Sequence, residues 1–299
     1  MLSFISSLPG PIAQGIIWGI MAMGVYITFR ILDIADLTVD GTMATGGVTL
    51  VVLVTGGMNV GLAMVCATLA GCVAGLVTGI FHTKFGIPAI LAGILTQLIL
   101  YSVNLRITTQ RSNVPMSVDK YDILLSLRNV GKAVAVSAIF AAAIIAVMYW
   151  FFGTELGHSL RATGCNQNMA RANGINTDTN KIIGLVISNG LVALSGALLA
   201  QYQGFADINM GRGAIVIGLA AVIIGEVLLG KVFKNFALKL LAAVFGGIIY
   251  YIVITIVLRA GLDANDLKMF SALVVSVFLG IPYWQRKISE KRSVKEGKG

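Results

Sequence analysis

The chain has 299 residues, of which 57% are apolar and only 12% are charged. Because a soluble domain carries about 25% charged residues, this composition excludes an ordinary soluble enzyme and a disordered chain. It predicts an all-α, polytopic membrane protein. The three cysteines have neither metal-ligand spacing nor the pattern of a disulfide framework, so we expect free thiols at Cys66, Cys72 and Cys165.

Long apolar runs separated by polar breaks predict a transmembrane helical bundle of about nine spans. A spanning helix needs about 20 apolar residues, and such runs cover 11–29, 41–56, 59–80, 87–105, 131–152, 181–203, 213–230, 237–258 and 267–284. A broken or re-entrant second run would change the number to eight or ten, because that run is short and contains Gly41, Gly46, Gly47, Gly56 and Gly57. The predicted transmembrane domain covers 1–285, and a basic tail follows at 286–299.

The net charge of +9 is concentrated at the ends of the predicted spans. Its densest part is the tail, with Arg286, Lys287, Lys291, Arg292, Lys295 and Lys298. A basic flank after a last span indicates the cytoplasmic side, next to anionic membrane lipid, and argues against nucleic acid as a partner. Nine spans then place the amino terminus outside, and the segment 153–180 and the carboxyl terminus inside.

Small residues recur at helical spacing in the third predicted span, at Ala67, Gly71, Gly75 and Gly79. Such a stripe lets two helix backbones approach closely. We expect it to pack against another helix of the same chain, and a contact between two subunits is the alternative.

Two similar acidic turns, ADLTVDG at 35–41 and ADINMG at 206–211, each precede an apolar segment. Five predicted spans separate them, so the second copy would be inverted, as in transporters whose inverted repeats place broken helices beside the substrate. We therefore predict that the translocation path lies at Asp36, Asp40, Asp207 and Asn209. The alternative is that these residues are ordinary loop caps at the two membrane faces.

Glu226 is a carboxylate within a predicted span, where an ionisable side chain is a functional candidate. It lies only about 7 Å of helix before Lys231 at the inner boundary. A structural or coupling role, such as an ion pair there, is therefore favoured over proton transport. The run 225–231 matches the start of a phosphate loop, but Val232 stands where a hydroxyl is required. The chain shows no ATP site, metal site or catalytic cluster of its own.

The polar segment 153–180, GTELGHSLRATGCNQNMARANGINTDTN, predicts a helix from a cap at Ser159 to about Asn173, ended by Gly174. Small residues dominate one side of this helix, which suits docking into a groove on a partner. A solvated loop is the alternative. The small residues are Ala162, Gly164, Ala170 and Ala172.

Three runs in this segment, 161–164 (RATG), 169–170 (MA) and 174–178 (GINTD), resemble the cytoplasmic coupling segment of ABC-importer permeases. The resemblance continues through 31–47 and 188–230, so it covers most of the chain. It points to the superfamily of branched-chain amino acid and ribose-type sugar permeases. Within that superfamily, the sequence is most similar to the single-permease systems that accompany lipoprotein-type binding proteins, some of them linked to aromatic amino acids.

The resemblance implies a permease subunit of an ABC importer in a bacterial-type inner membrane, and not an enzyme. It implies a homodimer with a second permease copy, separate ATPase subunits that bind ATP and magnesium, and an extracellular binding protein that delivers a small solute such as an amino acid. No cofactor is implied for this chain. The coupling residues carried over by position are Arg161, Ala162, Gly164, Ala170, Gly174 and Asn176.

The alternative class is a stand-alone carrier or channel driven by an ion gradient. Such a protein needs buried ion ligands or a proton relay, and the sequence offers only Glu226 for that purpose.

Overall fold

A computed structural model of the chain describes residues 9–118, 120–230, 233 and 235–259, with 269, 272–273, 275–277 and 280 in addition. The elements in chain order are α1 (Pro9–Tyr26), a π turn (Ile27–Ile31), α2 (Thr38–Thr55), α3 (Val60–Thr83), α4 (Ala89–Ile107), β1 (Asn113–Pro115), α5 (Val130–Phe152), α6 (Glu155–Cys165), α7 (Gln167–Ala172), α8 (Thr177–Gln203), β2 (Phe205–Asp207), α9 (Ala214–Leu229) and α10 (Phe236–Arg259).

The predicted polytopic helical bundle is confirmed. Within the described ranges, seven helical segments are long and apolar enough to cross a membrane: α1 with its π turn, α2, α3, α4, α5, α8 and α10. The seventh predicted span corresponds to α9, which is apolar but shorter. The ninth, at 267–284, lies mostly outside the described residues, so the number nine stays a prediction.

Helix α8 lies at the centre of the bundle and packs against α1, α2 and α3. Its contact with α3 depends on the stripe of small residues, because a Cβ atom on Gly71 would lie only 2.5 Å from the carbonyl oxygen of Asn189. A Cβ atom on Gly75 would likewise meet the carbonyl of Leu185, and one on Gly79 would lie 3.0 Å from the side chain of Ile182. The stripe therefore serves packing within the chain, as expected, and not a contact between subunits.

The bundle has two distinct ends. At one end, which we call the ribbon face, β1 pairs antiparallel with β2, and the hydroxyl of Tyr202 donates to the carbonyl of Gly10 at 3.2 Å. At the other end, which we call the α6–α7 face, these two helices lie against the ends of the spans. The start of α1 and the segment 153–180 thus lie at opposite ends, as the predicted topology requires.

The two acidic turns meet inside the bundle. Helix α2 begins at Thr38, and Asp40 in its first turn lies against Gly211 in the turn that precedes α9. From there α2 runs to the ribbon face, where Thr55 accepts a hydrogen bond from Tyr121. Helix α9 runs towards the α6–α7 face. Two helices that start in the interior and run in opposite directions are the arrangement that an inverted repeat requires.

Candidate functional site

The segment 153–180 forms two short helices and not the single helix predicted. Thr154 caps α6, because its hydroxyl accepts a hydrogen bond from the backbone N–H of Gly157 at 3.4 Å. Asn166 then adopts an extended conformation, which ends α6, and its side chain caps α7 by accepting from the N–H of Met169 at 3.0 Å. Gly174 follows α7 with a φ of 77°, a left-handed conformation that favours glycine.

Ser159 is not a helix cap, so that prediction is wrong. It lies within α6, and its hydroxyl accepts a hydrogen bond from Nδ2 of Asn180 at 2.6 Å. The same amide nitrogen donates to Thr163 at 2.9 Å. Asn176 caps α8 by accepting from the N–H of Thr179 at 3.1 Å. The side chains of α6 therefore attach it to the first turn of α8.

The four small residues do not lie on one free side, contrary to the prediction. Ala162 lines an open groove and Ala172 is exposed, whereas Gly164 and Ala170 face the bundle. Gly164 lies against the backbone of Ile31, so closely that a Cβ atom would overlap the Ile31 carbonyl oxygen. Ala170 is only 3% exposed. These two residues seat the segment on its own chain, and a partner would meet the other side.

Arg161 also points into the chain. Its guanidinium lies 4.5 Å from the ring centroid of Phe236, at the start of α10, and 5.4 Å from that of Phe152, at the end of α5. A cation over an aromatic face is attracted by the ring quadrupole. Arg161 therefore links α6 to two spans.

The exposed side of the segment combines a groove with two apolar side chains. Leu156 is 52% exposed and Met169 is 65% exposed. The groove beside them has a volume of about 640 Å³ and is lined by Gly153, Glu155, His158, Ser159, Ala162 and Ile175. Exposed apolar side chains near a groove are typical of a surface for another protein.

Glu226 lies at the α6–α7 face, and not in the middle of the bundle. Its Oε2 atom accepts a hydrogen bond from Nε of Arg30 at 2.9 Å and also contacts Nη2 of that residue. Since Arg30 directly precedes Ile31, this ion pair joins the end of α9 to the part of α1 on which Gly164 rests.

Asp36 is buried in the loop between α1 and α2. Its Oδ2 accepts from Nδ2 of Asn189 in α8 at 2.7 Å, and its Oδ1 accepts from the N–H of Thr38 at 2.9 Å. The hydroxyl of Thr42 donates to Oδ1 of Asn189 at 2.7 Å. Burial raises the pKa of the Asp36 carboxyl above its usual value, and the hydrogen bonds from Thr38 and Asn189 offset this rise only in part. The network fastens the start of α2 to α8.

We expect Asp36→Ala to destabilise the protein by about 1–3 kcal/mol, because it leaves one N–H of the buried Asn189 amide without an acceptor. The midpoint of thermal unfolding of the purified protein in detergent measures this loss. Asp122→Ala, which removes an exposed carboxylate, is the matched control and should unfold like the wild type. Equal midpoints for the two variants would contradict the role assigned to Asp36.

Asp40 caps the start of α9 from a different helix. Its Oδ2 accepts from the N–H of Gly213 at 2.9 Å, and its Oδ1 accepts from the N–H of Ile215 at 2.9 Å. The first N–H groups of a helix have no partner within the helix, and inside a membrane they need one from elsewhere. The carboxylate of Asp40 therefore lets α9 begin in the interior.

A cavity of about 220 Å³ lies beside this cap, between α2, α4 and the turn 208–213. It is lined by Asp40, Gly41, Gln97, Leu98, Tyr101, Asn104, Ile208, Asn209 and Arg212. Of the four predicted path residues, the structure brings Asp40 and Asn209 to this cavity. It leaves Asp36 on the α8 side of α2, and Asp207 in β2, where its carboxylate accepts from the N–H of Asn209 at 2.7 Å.

The polar face of α4 was not predicted from the sequence. Gln97, Tyr101 and Asn104 follow one another at helical spacing and line the cavity together. Asn104 is 1% exposed, and neither its Oδ1 nor its Nδ2 has a hydrogen-bond partner among the described residues. The sequence did contain a signal for this face, because the amides of Gln97 and Asn104 stand within a largely apolar span.

We find no cluster of three or more His, Cys, Asp or Glu side chains that could hold a metal ion within the described ranges. The run 225–231 that resembles a phosphate loop has its first part in α9, where the backbone is helical.

Comparison with known proteins shows the family to which the chain is similar. The family described as "Branched-chain amino acid transport system / permease component" matches residues 10–281. The chain is 40% identical to the tyrosine transport system permease protein of Clostridioides difficile (strain R20291) over 274 residues, which is 92% of this chain and 90% of that protein. It is 31% identical to the autoinducer 2 import system permease protein LsrC of Yersinia pseudotuberculosis over 202 residues, which is 64% of this chain and 56% of that protein.

Two further similarities extend over nearly the whole chain. An uncharacterised protein of Rickettsia prowazekii (strain Madrid E) is 37% identical over 268 residues, 89% of this chain and 94% of that protein. Among solved structures, PsaBC from Streptococcus pneumoniae in complex with Fab matches 94% of this chain and 95% of its own with a TM-score of 0.53. The identity there is 16%, so this likeness shows the fold alone.

Proposed function

Because the chain belongs to the permease family of branched-chain amino acid transport systems, we propose that it forms the membrane path for an amino acid. It is a permease of the ABC-importer superfamily and a multi-pass protein of the inner membrane. In this proposal two copies form the path, separate ATPase subunits bind ATP and magnesium, and an extracellular protein delivers the solute. The α6–α7 face and the carboxyl terminus then lie in the cytoplasm, and the amino terminus lies outside.

The main support for this proposal is that α6 packs against the ends of several spans. Gly164 contacts the end of α1, Arg161 lies over aromatic rings of α5 and α10, and Ser159 bonds to α8. A displacement of α6 would therefore reach four spans at once. An importer whose ATPase is a separate protein requires such an element, because transport must follow from motion applied at the surface.

The exposed side of α6 and α7 supplies the docking surface in this proposal. The groove at Ala162 and the exposed side chains of Leu156 and Met169 are available to a partner. Interfaces combine such apolar anchors with a polar rim. The predicted coupling residues Arg161, Gly164 and Ala170 act within the chain, by holding the docked segment to the spans.

The relative named as a tyrosine transport permease supports an amino acid as the solute, since 92% of this chain aligns with it at 40% identity. The relative named for autoinducer 2 import aligns with 64% of this chain and is less similar. An aromatic amino acid is therefore the solute class with which the proposal should first be tested.

A carrier driven by an ion gradient is less well supported. It requires an ion ligand that is available inside the membrane. Glu226 pairs with Arg30 at one end of the bundle, and both carboxylate oxygens of Asp36 and of Asp40 accept hydrogen bonds from the chain itself. Uptake into proteoliposomes distinguishes the two classes, because the importer needs ATP and its ATPase, whereas the carrier needs only a gradient.

We expect Met169→Glu to weaken association with the ATPase subunit by at least about tenfold, because it replaces an exposed apolar side chain of the docking surface with a charge. Co-purification and ATP-dependent uptake of L-tyrosine measure the effect. Leu127→Glu is the matched control, because Leu127 is 54% exposed at the opposite end of the bundle. Wild-type association and uptake for Met169→Glu would refute docking at this surface.

A further inference from the structure

We propose that the cavity between α2, α4 and the turn 208–213 is a solute subsite that recognises zwitterionic α-amino acids. This inference rests on the proposed function and specifies the chemistry by which the path would recognise its solute. It depends on three observations: an unpartnered amide, two opposite charges and an apolar surface, all at one cavity of about 220 Å³.

The first observation is the amide of Asn104. The residue is 1% exposed and lines the cavity, yet neither polar atom of its side chain has a partner among the described residues. Burying an amide without a partner is unfavourable, and buried polar groups in proteins are nearly always bonded. An unsatisfied amide at the wall of a cavity indicates a group that enters the cavity and supplies both a donor and an acceptor.

The second observation is the pair of opposite charges, Asp40 and Arg212, at the same cavity. Asp40 accepts two backbone hydrogen bonds, and a carboxylate has about four lone-pair sites, so it retains capacity to accept from an ammonium group. Arg212 is exposed, and its guanidinium geometry matches a carboxylate. An anion alone would be repelled by Asp40, and a cation alone by Arg212, so the site fits a solute that carries both charges.

The third observation is the apolar part of the lining, formed by Leu98, Tyr101 and Ile208. Apolar side chains beside a few placed polar groups are typical of small-molecule sites. This surface can receive the side chain of an amino acid while the charged residues hold its ammonium and carboxylate groups. A polyol, which has neither charge, would offer no opposite charge to Asp40 or to Arg212.

The experiment measures protection of a cysteine at the cavity wall of the purified permease, with L-tyrosine as the probe. The three native cysteines are replaced by serine, and Leu98→Cys, at a position that is 63% exposed, is modified with a water-soluble thiol reagent. We expect saturating L-tyrosine to slow this modification about tenfold. Tyramine, which lacks the carboxylate, and 3-(4-hydroxyphenyl)propionate, which lacks the ammonium group, should slow it less than twofold at the same concentration.

Two variants and one control separate recognition from general effects. Asn104→Leu and Arg212→Gln should each abolish the protection, whereas a cysteine at Arg111, an exposed position outside the cavity, should show none in any background. Asn104→Leu removes an unsatisfied buried amide, so its thermal unfolding midpoint should equal or exceed that of the wild type. If Asn104→Leu loses the protection by L-tyrosine but keeps its unfolding midpoint, the loss is due to the binding site and not to misfolding.

The subsite is overturned if L-tyrosine gives no protection, if all three compounds protect equally, or if both variants keep the wild-type protection. A separate assay of ATP-dependent L-tyrosine uptake by the assembled wild-type importer tests the proposed function. Uptake without protection refutes the subsite alone. If neither L-tyrosine nor any other zwitterionic amino acid is imported, both proposals fail.

Discussion

Gly164→Ala is expected to reduce ATP-dependent uptake to below about a tenth of the wild-type rate. The added Cβ atom would overlap the carbonyl oxygen of Ile31, and neither backbone can move alone, because Gly164 lies within α6 and Ile31 ends the π turn of α1. Helix α6 must therefore lift from the end of α1. Overpacking of this kind costs about 1–3 kcal/mol, and it separates the docking segment from the first span.

The loss of uptake should exceed what the loss of stability explains. The contact between Gly164 and Ile31 stabilises the protein, and it also transmits a displacement of α6 to α1. Arg30 precedes Ile31 and pairs with Glu226 at the end of α9, so a lifted α6 loses its connection to both α1 and α9. Uptake, ATP hydrolysis and thermal unfolding of the reconstituted variant separate these effects. We expect hydrolysis to continue in the assembled complex while uptake is lost.

Gly131→Ala provides the matched control for this prediction. It lies in α5 near the ribbon face, and its Cβ atom would meet only the side chain of Asn129 at 4.0 Å. This variant should transport normally and gain slightly in stability, because alanine favours a helix over glycine. If Gly164→Ala also transports normally, then α6 does not act through the end of α1.

The positions of the long helices could be predicted from the sequence, whereas the side that each helix presents could not. Apolar length alone identifies a span, so the predicted runs coincide with α1 to α5, α8 and α10. The sequence shows that Gly164 and Ala170 are small residues of a polar segment. It does not show whether they meet a partner or the same chain, because both contacts favour small residues.

The start of α6 could not be predicted from its local sequence alone. Thr154 and Ser159 are both suitable cap residues, and the prediction from the sequence took Ser159, whereas the structure uses Thr154. The choice follows from the end of α5, since the N–H of Gly153 bonds to Trp150 and ends that helix directly before Thr154. The start of α6 is therefore set by where its neighbour stops.

The cavity could be predicted only in part. Its acidic turn was identified because two copies of a short pattern place Asp40 and Asn209 before apolar segments. Gln97 and Asn104 were missed, because a run that satisfies the length and hydropathy of a span gives no reason to examine its polar positions. Their significance follows from the packing of α4 against α2, which brings them opposite Asp40.

Asp40→Ala is expected to destabilise the protein by at least about 2 kcal/mol, a larger loss than at Asp207, the acidic residue of the second turn. It removes the acceptor for the N–H groups of Gly213 and Ile215, and loss of a helix cap alone costs about 0.5–2 kcal/mol. The position adds to this cost, because water cannot readily satisfy N–H groups inside the bundle. The first turn of α9 should then lose its order.

Hydrogen exchange and thermal unfolding measure this effect together. In Asp40→Ala the amide hydrogens of 213–215 should exchange much faster, and the unfolding midpoint should fall. Asp40→Asn should recover part of the midpoint, because the amide oxygen still accepts one of the two hydrogen bonds.

Asp207→Ala is the informative comparison, because Asp207 stands in the second copy of the acidic turn. Its carboxylate accepts a single hydrogen bond, from the N–H of Asn209 within the same turn, so its loss should cost about 0.5–1.5 kcal/mol. The two turns are alike in sequence, but only the first reaches across to cap the helix that follows the second. Equal losses in Asp40→Ala and Asp207→Ala would show that this cap is not what allows α9 to begin inside the bundle.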